Sequence, residues 1–147
     1  MREEVYLPPT TPDWQMAWRV TEALLGQMRD DCRRHRTPFA IVTLSEGVQV
    51  TPVRERREKF LQHLGVKDLY YSERRLGQFG KRERIPVHSL ALAMVRQAEE
   101  RHVFFHADHG SLGIGHWNEE GHRVAGELIA SWLAGELADG STTASLP

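Results

Sequence analysis

The sequence has a single cysteine, no long apolar run and no export signal at its start. Cys32 alone excludes an internal disulfide and a cysteine zinc site, so the redox compartment stays open, leaning towards a reducing one. No stretch reaches the roughly 18 apolar residues of a membrane helix, and the start, MREEVYLPPTTPDW, is acidic where a signal peptide is basic. We expect no membrane partner; the localisation is unknown, with the cytoplasm as the default.

The sequence also lacks an excess of charge of either sign. It has 19 Lys and Arg against 20 Asp and Glu, a net charge of -1, so no global field attracts nucleic acid or anionic lipid. Residues 54–59 and 74–84 are rich in arginine, but glutamates are interspersed in both stretches. This mixture is typical of a solvated surface, and we expect no nucleic-acid partner.

Alternating helical and extended patterns predict an α/β fold with a small parallel sheet. The 147 residues suffice for one core, and 40% hydrophobic with 27% charged residues is an ordinary globular composition. PFAIVTL (residues 38–44) is an apolar, β-branched run typical of a central parallel strand, and HVFFH (residues 102–106) predicts another. Two strands and the short extended segment VKDLYY make an incomplete sheet.

Four helices are predicted around these strands. The first follows a Thr11 cap and reaches about residue 35, the second spans residues 52–64 before a Gly65 stop, and the third spans residues 86–101. The glycine-punctuated residues 72–84 read as a connection, and Asn118 can cap the last helix. The buried face of the first helix is predicted to contain Trp14, Trp18, Thr21, Leu25, Met28 and Cys32, broadened by Ala17, Val20 and Leu24.

Histidines cluster towards the carboxyl end, where HADHG contains His106, Asp108 and His109. These residue types bind metals, but no HExxH helix is present. His102 and His106 would lie about 13 Å apart along a strand, too far to share an ion. The sequence therefore predicts no metal and no cofactor.

GHWNEEGH (residues 115–122) separates two further histidines. His116 is predicted in a glycine-rich loop after a strand and just before a helix N-terminus, whose dipole disfavours imidazolium and keeps a general base neutral. The alternative is a surface histidine near a cap. His122 is predicted to pack within the helix, and Gly121 to let that helix approach the sheet closely.

The segment GHWNEEGHRVAGELIASWL resembles the C-terminal block of SGNH hydrolases, also called GDSL esterases and lipases. The order of FAIVTLSEGVQVTP, FLQHLGVKDLYY, IPVHSLALAM and VFFH is similar to that of the family's later strands and helices. The resemblance implies a partial flavodoxin-like three-layer α/β/α sandwich over residues 13–135, after an extended Pro-rich entry (1–12) and before a flexible tail (136–147). It makes His116 the general base of acyl-ester hydrolysis, on a small-molecule or carbohydrate ester.

Two parts of the family pattern are missing. The position three residues before His116, commonly aspartate in the family, is Gly113; Asp108 is a possible orienting acid if the glycine-rich loop folds back. The Gly-Asp-Ser block with the nucleophile, and the blocks that form the oxyanion hole, do not occur, and Ser45 lacks the preceding Gly-Asp. Because a base needs a nucleophile to activate, we expect a fragment of an esterase that is inactive alone. An in-frame Gly-Asp-Ser block ahead of Met1 would identify a truncated or mis-started enzyme.

A different class of function remains open. An incomplete α/β sheet leaves an exposed edge and face, and these are templates for association. The alternative to the enzyme fragment is a non-catalytic interaction module that forms a homo-oligomer or binds a complementary N-terminal half.

Overall fold

The computed structural model describes residues 3–138 and has a mixed α/β architecture. The helices are α1 (Pro12–Arg34), α2 (Arg54–Leu64), α3 (Tyr71–Glu83), α4 (Leu90–Arg101) and α5 (Glu119–Ala138), after a 3-10 helix at Glu3–Tyr6. The strands are β1 (Ile41–Thr43), β2 (Val87–Ser89), β3 (His106–Asp108), β4 (Ser111–Leu112) and β5 (His116–Trp117). The chain forms two compact units, the first containing Met1–Ile41 with Asp68–Val87 and the second Val42–Lys67 with His88–Pro147.

In the first unit, α1 begins as the sequence predicts. Thr11 accepts a hydrogen bond from the Trp14 backbone N–H, and Pro12 occupies the first turn, where it has no N–H bond to lose. The predicted burial is too broad, however. Trp18 is buried in the first unit, whereas three residues of the predicted face or its broadened flank, Val20, Leu24 and Met28, are about half exposed. The neighbouring Met16 is exposed to the same extent.

Residues 71–83 form helix α3, which corrects the predicted connection. Its Phe79 packs in an apolar cluster with Ile41 and Ile85, and Gly80 lies so close to Val87 and the Ile85 carbonyl that a side chain there would clash. Packing of this face outweighs the weak helix propensity of the two glycines in the segment. Arg29 of α1 also forms a 2.7 Å ion pair with Glu83 of α3.

Strands β1 and β2 pair in a small parallel sheet. The pairing includes a bond from the Ile41 N–H to the Pro86 carbonyl. The helix predicted from Pro86 therefore starts only at Leu90, because residues 87–89 are first drawn into the sheet. β1 is confirmed, but at three residues it is shorter than the predicted run.

The second unit contains an antiparallel sheet that the sequence did not predict. Its strand order is β4-β3-β5, and the register pairs Ala107 with Leu112 and with His116. Glycines in the left-handed region, among them Gly110 and Gly113, reverse the chain between these short strands. Buried apolar residues of this unit come from α4, from the residue before β3 and from α5: Leu90, Ala91, Met94, Ala98, Phe105, Val124 and Ala125.

The two ends differ in detail from the predicted segments. The Pro-rich entry is extended only after the 3-10 helix, whose Tyr6 is 2% exposed; burying this large ring favours a compact turn over an extended chain. At the other end, helix α5 continues through residues 136–138, and the rest of the predicted flexible tail lies outside the described residues.

Candidate functional site

His116 lies in strand β5, directly before helix α5, and not in the predicted loop. Its backbone pairs with Ala107 of β3, and its side chain is exposed. Within residues 3–138, no hydrogen bond or ion pair involves this imidazole. The position at the entry to a helix is as predicted, and the ring is accessible to a ligand.

Asn118 connects β5 to α5 and caps the helix, which confirms the prediction. Its Oδ1 accepts the Gly121 N–H at 2.8 Å, and its Nδ2 donates to the Phe104 carbonyl at 2.8 Å. The Asn118 backbone N–H donates in addition to the Phe105 carbonyl at 3.0 Å. One side chain therefore satisfies a free helix donor and fixes α5 to the chain just before β3.

Gly121 and His122 have the packing roles predicted for them. A Cβ on Gly121 would lie 2.2 Å from the Phe105 carbonyl oxygen, so only glycine permits this approach of α5. The His122 ring meets the Trp117 ring edge-on, with centroids 5.5 Å apart. In the first turn of the same helix, ion pairs with Arg123 and then Arg101 lower the pKa of Glu120 to about 2.

Asp108, the predicted orienting acid, is exposed at the end of β3. Its carboxylate lies 3.5 Å from Nε2 of the exposed His109, and no hydrogen bond joins it to His116 in the part of the chain that the structure describes. Since Ala107 is the register partner of His116, strand alternation directs the next residue, Asp108, to the other face. An orienting role for Asp108 stays a prediction.

Ser45 and His106 form a buried pair that was not predicted from the sequence. Ser45 Oγ lies 3.2 Å from His106 Nε2, and His106 Nδ1 lies 2.9 Å from the Gly115 carbonyl oxygen. Trp117 Nε1–H donates to Ser45 Oγ at 2.9 Å. The available signal was that Ser45 and His106 follow or end the predicted strands 38–44 and 102–106, because polar groups of α/β folds gather at the carboxyl ends of strands. In the structure His106 instead begins β3.

A serine bonded to an oriented histidine is also the arrangement of an activated nucleophile. Here Ser45 is 6% exposed and His106 is 3% exposed. Ser45 Oγ additionally lies 3.4 Å from Met94 Sδ, so the oxygen is enclosed by protein groups on several sides. An acyl carbon has no room beside it, and the pair is a satisfied buried network, the usual state of interior polar groups.

Burial controls the protonation of two histidines in the second unit. Desolvation lowers the pKa of His106, and the Gly115 carbonyl and Glu46 only partly oppose this effect. Burial likewise lowers the pKa of His88, whose ring stacks on Trp132 with centroids 4.9 Å apart. Both rings are therefore neutral at pH 7.

Other candidate chemistries have no counterpart in the described residues. Between residues 3 and 138, no group of three or more His, Cys, Asp or Glu side chains is arranged to hold a metal ion. None of the helices there has the length and apolarity to cross a membrane.

Comparison of the chain with models of protein families, with curated proteins and with solved structures found no match.

Proposed function

We propose that this chain is the histidine-bearing, C-terminal part of an SGNH-type ester hydrolase, with His116 as the general base. One observation carries the proposal: in GHWNEEGH, Trp117, Asn118 and Gly121 have packing or capping contacts, and the His116 side chain has none among the described residues. Trp117 bonds to Ser45, Asn118 caps α5, and Gly121 allows the approach to Phe105. Stability accounts for these residues, which leaves the exposed imidazole available for chemistry.

In this role, the His116 imidazole accepts the proton of a serine hydroxyl as its oxygen attacks an ester carbonyl. The ring then returns the proton to the leaving alcohol. The substrate class is an acyl ester of a small molecule or carbohydrate. No Gly-Asp-Ser block occurs in residues 1–147, so the serine and the oxyanion donors belong to a segment outside this sequence or to another chain.

The finer fold assignment is part of the same proposal. A flavodoxin-like three-layer sandwich needs parallel strands alternating with helices, and the parallel pair β1 and β2 with the helical segments between them agrees with this pattern. Further parallel strands would come from the segment with the nucleophile. The antiparallel β4-β3-β5 sheet is then a local addition that carries His116.

The proposed function can be tested by adding the missing block. We expect residues 1–147 alone to hydrolyse p-nitrophenyl acetate no faster than the buffer. A protein extended in frame with coding sequence ahead of Met1 that contains a Gly-Asp-Ser block should hydrolyse it, and His116→Ala should lower kcat by about 10²–10⁴-fold. His122→Ala, the matched histidine control, should retain most of the activity.

Turnover by the extended protein that is insensitive to His116→Ala would remove the base assignment. Rapid turnover by residues 1–147 alone would contradict the expected inactivity. Absence of a Gly-Asp-Ser block from the in-frame sequence would count against the enzyme fragment and favour the second candidate.

The second candidate is a self-associating interaction module, favoured by the exposed face of α1. Met16, Val20, Leu24 and Met28 recur every four residues and are 48–54% exposed. We name this row the α1 stripe. About a centre at residue 22, an antiparallel second copy would pair Met16 with Met28 and Val20 with Leu24, so the stripe is self-complementary, as a two-fold interface requires.

A further inference from the structure

Three side chains form a continuous hydrogen-bonded network on both sides of His116. His106 bonds to the carbonyl of Gly115, the residue before His116, and Trp117, the residue after it, bonds to Ser45. The 3.2 Å contact between Ser45 Oγ and His106 Nε2 closes the network. Both neighbours of His116 are thus attached to one buried pair.

Hydrogen-bond chemistry determines the direction of each contact. The Gly115 carbonyl only accepts, so His106 donates from Nδ1–H, and its neutral Nε2 is left as an acceptor. Trp117 Nε1–H only donates, so Ser45 Oγ accepts from it. The Ser45 proton goes to His106 Nε2, because this nitrogen is a stronger acceptor than the Met94 thioether sulfur 3.4 Å away. Each group has a compatible partner in a single tautomer, with neutral His106.

The strand held by this network is short, and outside the network the adjacent Asn118 bonds it to the chain before β3. β5 has two residues, and it pairs with β3 through His106–Trp117 and Ala107–His116. The preceding loop contains Gly113 and Gly115 in the left-handed region, where glycine is permissive and loses the most conformational freedom on ordering. Side-chain bonds to both neighbours would therefore have a large share in keeping His116 in place.

We propose that Ser45 and His106 are positioning residues for His116. Together with Trp117 they fix the backbone on both sides of it, so that its side chain projects from a fixed position at the start of α5. This inference rests on the proposed function in one respect: only there is His116 assigned as a general base. The positioning itself is a property of residues 1–147 and is measured without an ester substrate.

The test compares three variants of the 147-residue chain by NMR-detected hydrogen exchange. Ser45→Ala removes the centre of the network, and Trp117→Phe removes only the indole donor while retaining an aromatic ring. Ser72→Ala is the matched control, since Ser72 Oγ donates to the Val5 carbonyl in the first unit. We expect both network variants to lower amide protection at residues 115–117 by about 5–10-fold, the equivalent of one hydrogen bond, and the control to leave it unchanged.

A pH profile distinguishes positioning from a general loss of stability. Protonation of His106 removes the acceptor for Ser45, so protection at residues 115–117 in the wild type should fall as this ring titrates. Glu46 and His116 are the titratable groups that act on it through space. Ser45→Ala should show a smaller pH-dependent step, because the bond that protonation breaks is already absent and only the cost of charging the buried ring remains, and Ser72→Ala should retain the full step.

Should Ser45→Ala not fold, Trp117→Phe carries the test, because a phenyl ring retains most of the packing. Wild-type protection at residues 115–117 in Trp117→Phe would overturn the positioning role, as would a pH step of full wild-type size in a folded Ser45→Ala. If these readouts change as expected while the extended protein shows no esterase activity, the proposed function fails and the positioning of His116 stands.

Discussion

Gly121 of α5 lies against the carbonyl oxygen of Phe105, the residue that precedes strand β3. A Cβ built at Gly121 would be 2.2 Å from this oxygen and 3.1 Å from the Phe105 carbonyl carbon. The contact is made by backbone, which cannot rotate away as a side chain does. It sets how closely the last helix packs on the chain beside His116.

We predict that Gly121→Ala lowers the free energy of unfolding by about 1–3 kcal/mol, since the helix must move away from Phe105. Gly126→Ala, five residues further along the helix, meets no atom within 4 Å. There the better helix propensity of alanine should raise the free energy of unfolding by about 0.5–1 kcal/mol. Urea unfolding gives the free energy of unfolding of both variants. A change of the same sign in Gly121→Ala and Gly126→Ala would contradict the close contact between Gly121 and Phe105.

Asn118 should contribute more to stability than an ordinary helix cap. Asn118→Ala removes bonds to the Gly121 N–H and to the Phe104 carbonyl, and we expect a loss of about 1–2 kcal/mol. Asn118→Asp retains the acceptor but not the donor, so its loss should be smaller. Thr11→Ala at the exposed cap of α1 is the control, expected near 0.5–1 kcal/mol in the same thermal or urea unfolding. An equal loss for Thr11→Ala and Asn118→Ala would show that the Phe104 bond adds nothing.

Stability should fall as the pH drops below the ordinary histidine pKa of 6.5. Burial lowers the pKa of His106 and of His88 in the folded chain. The unfolded chain therefore binds more protons below that pH, and the free energy of unfolding decreases with acidification. Carboxylates with lowered pKa values, such as Glu120, lose their contribution only at lower pH, below their ordinary value of 4.5.

Urea unfolding between pH 7.5 and 5.5 measures this dependence. His106→Gln should reduce its slope, whereas His109→Gln, at a 96% exposed side chain, should leave the slope unchanged. A free energy of unfolding that does not vary over this range would contradict the burial of both rings. NMR titration of the His106 ring gives an independent check, with an expected midpoint below 6.5.

If the α1 stripe binds a second copy, association should depend on its central residues. Sedimentation velocity over a concentration series should detect a wild-type dimer, and Leu24→Glu should be monomeric throughout because its charge would be buried against the partner's Val20. Leu133→Glu, at a similarly exposed leucine of α5, is the matched control and should still dimerise. A monomeric wild-type protein at all concentrations would falsify self-association through this stripe.

Several features could be predicted from the sequence because they depend on interactions between residues that are close together in the chain. Thr11, Asn118 and Gly65 mark helix ends through bonds and backbone angles within a few residues of themselves, and the structure confirms all three. Gly121 was expected to allow close approach, and it does. By contrast, α3 was missed because its two glycines suggest a loop, while the buried face that stabilises it includes Ile41, far away in the chain.

In the candidate site too, one part could be predicted from local sequence and another could not. His116 at the entry to α5 was identified from its own segment, since the residues that shape that segment are adjacent in sequence. The Ser45–His106 pair joins positions 61 residues apart, and no local pattern encodes which serine will meet which histidine. The sequence by itself determined the helix caps, the α/β composition and the exposed histidine before the last helix. Only the tertiary structure decided which residues hold that histidine and which face of α1 is left uncovered, because both depend on long-range burial.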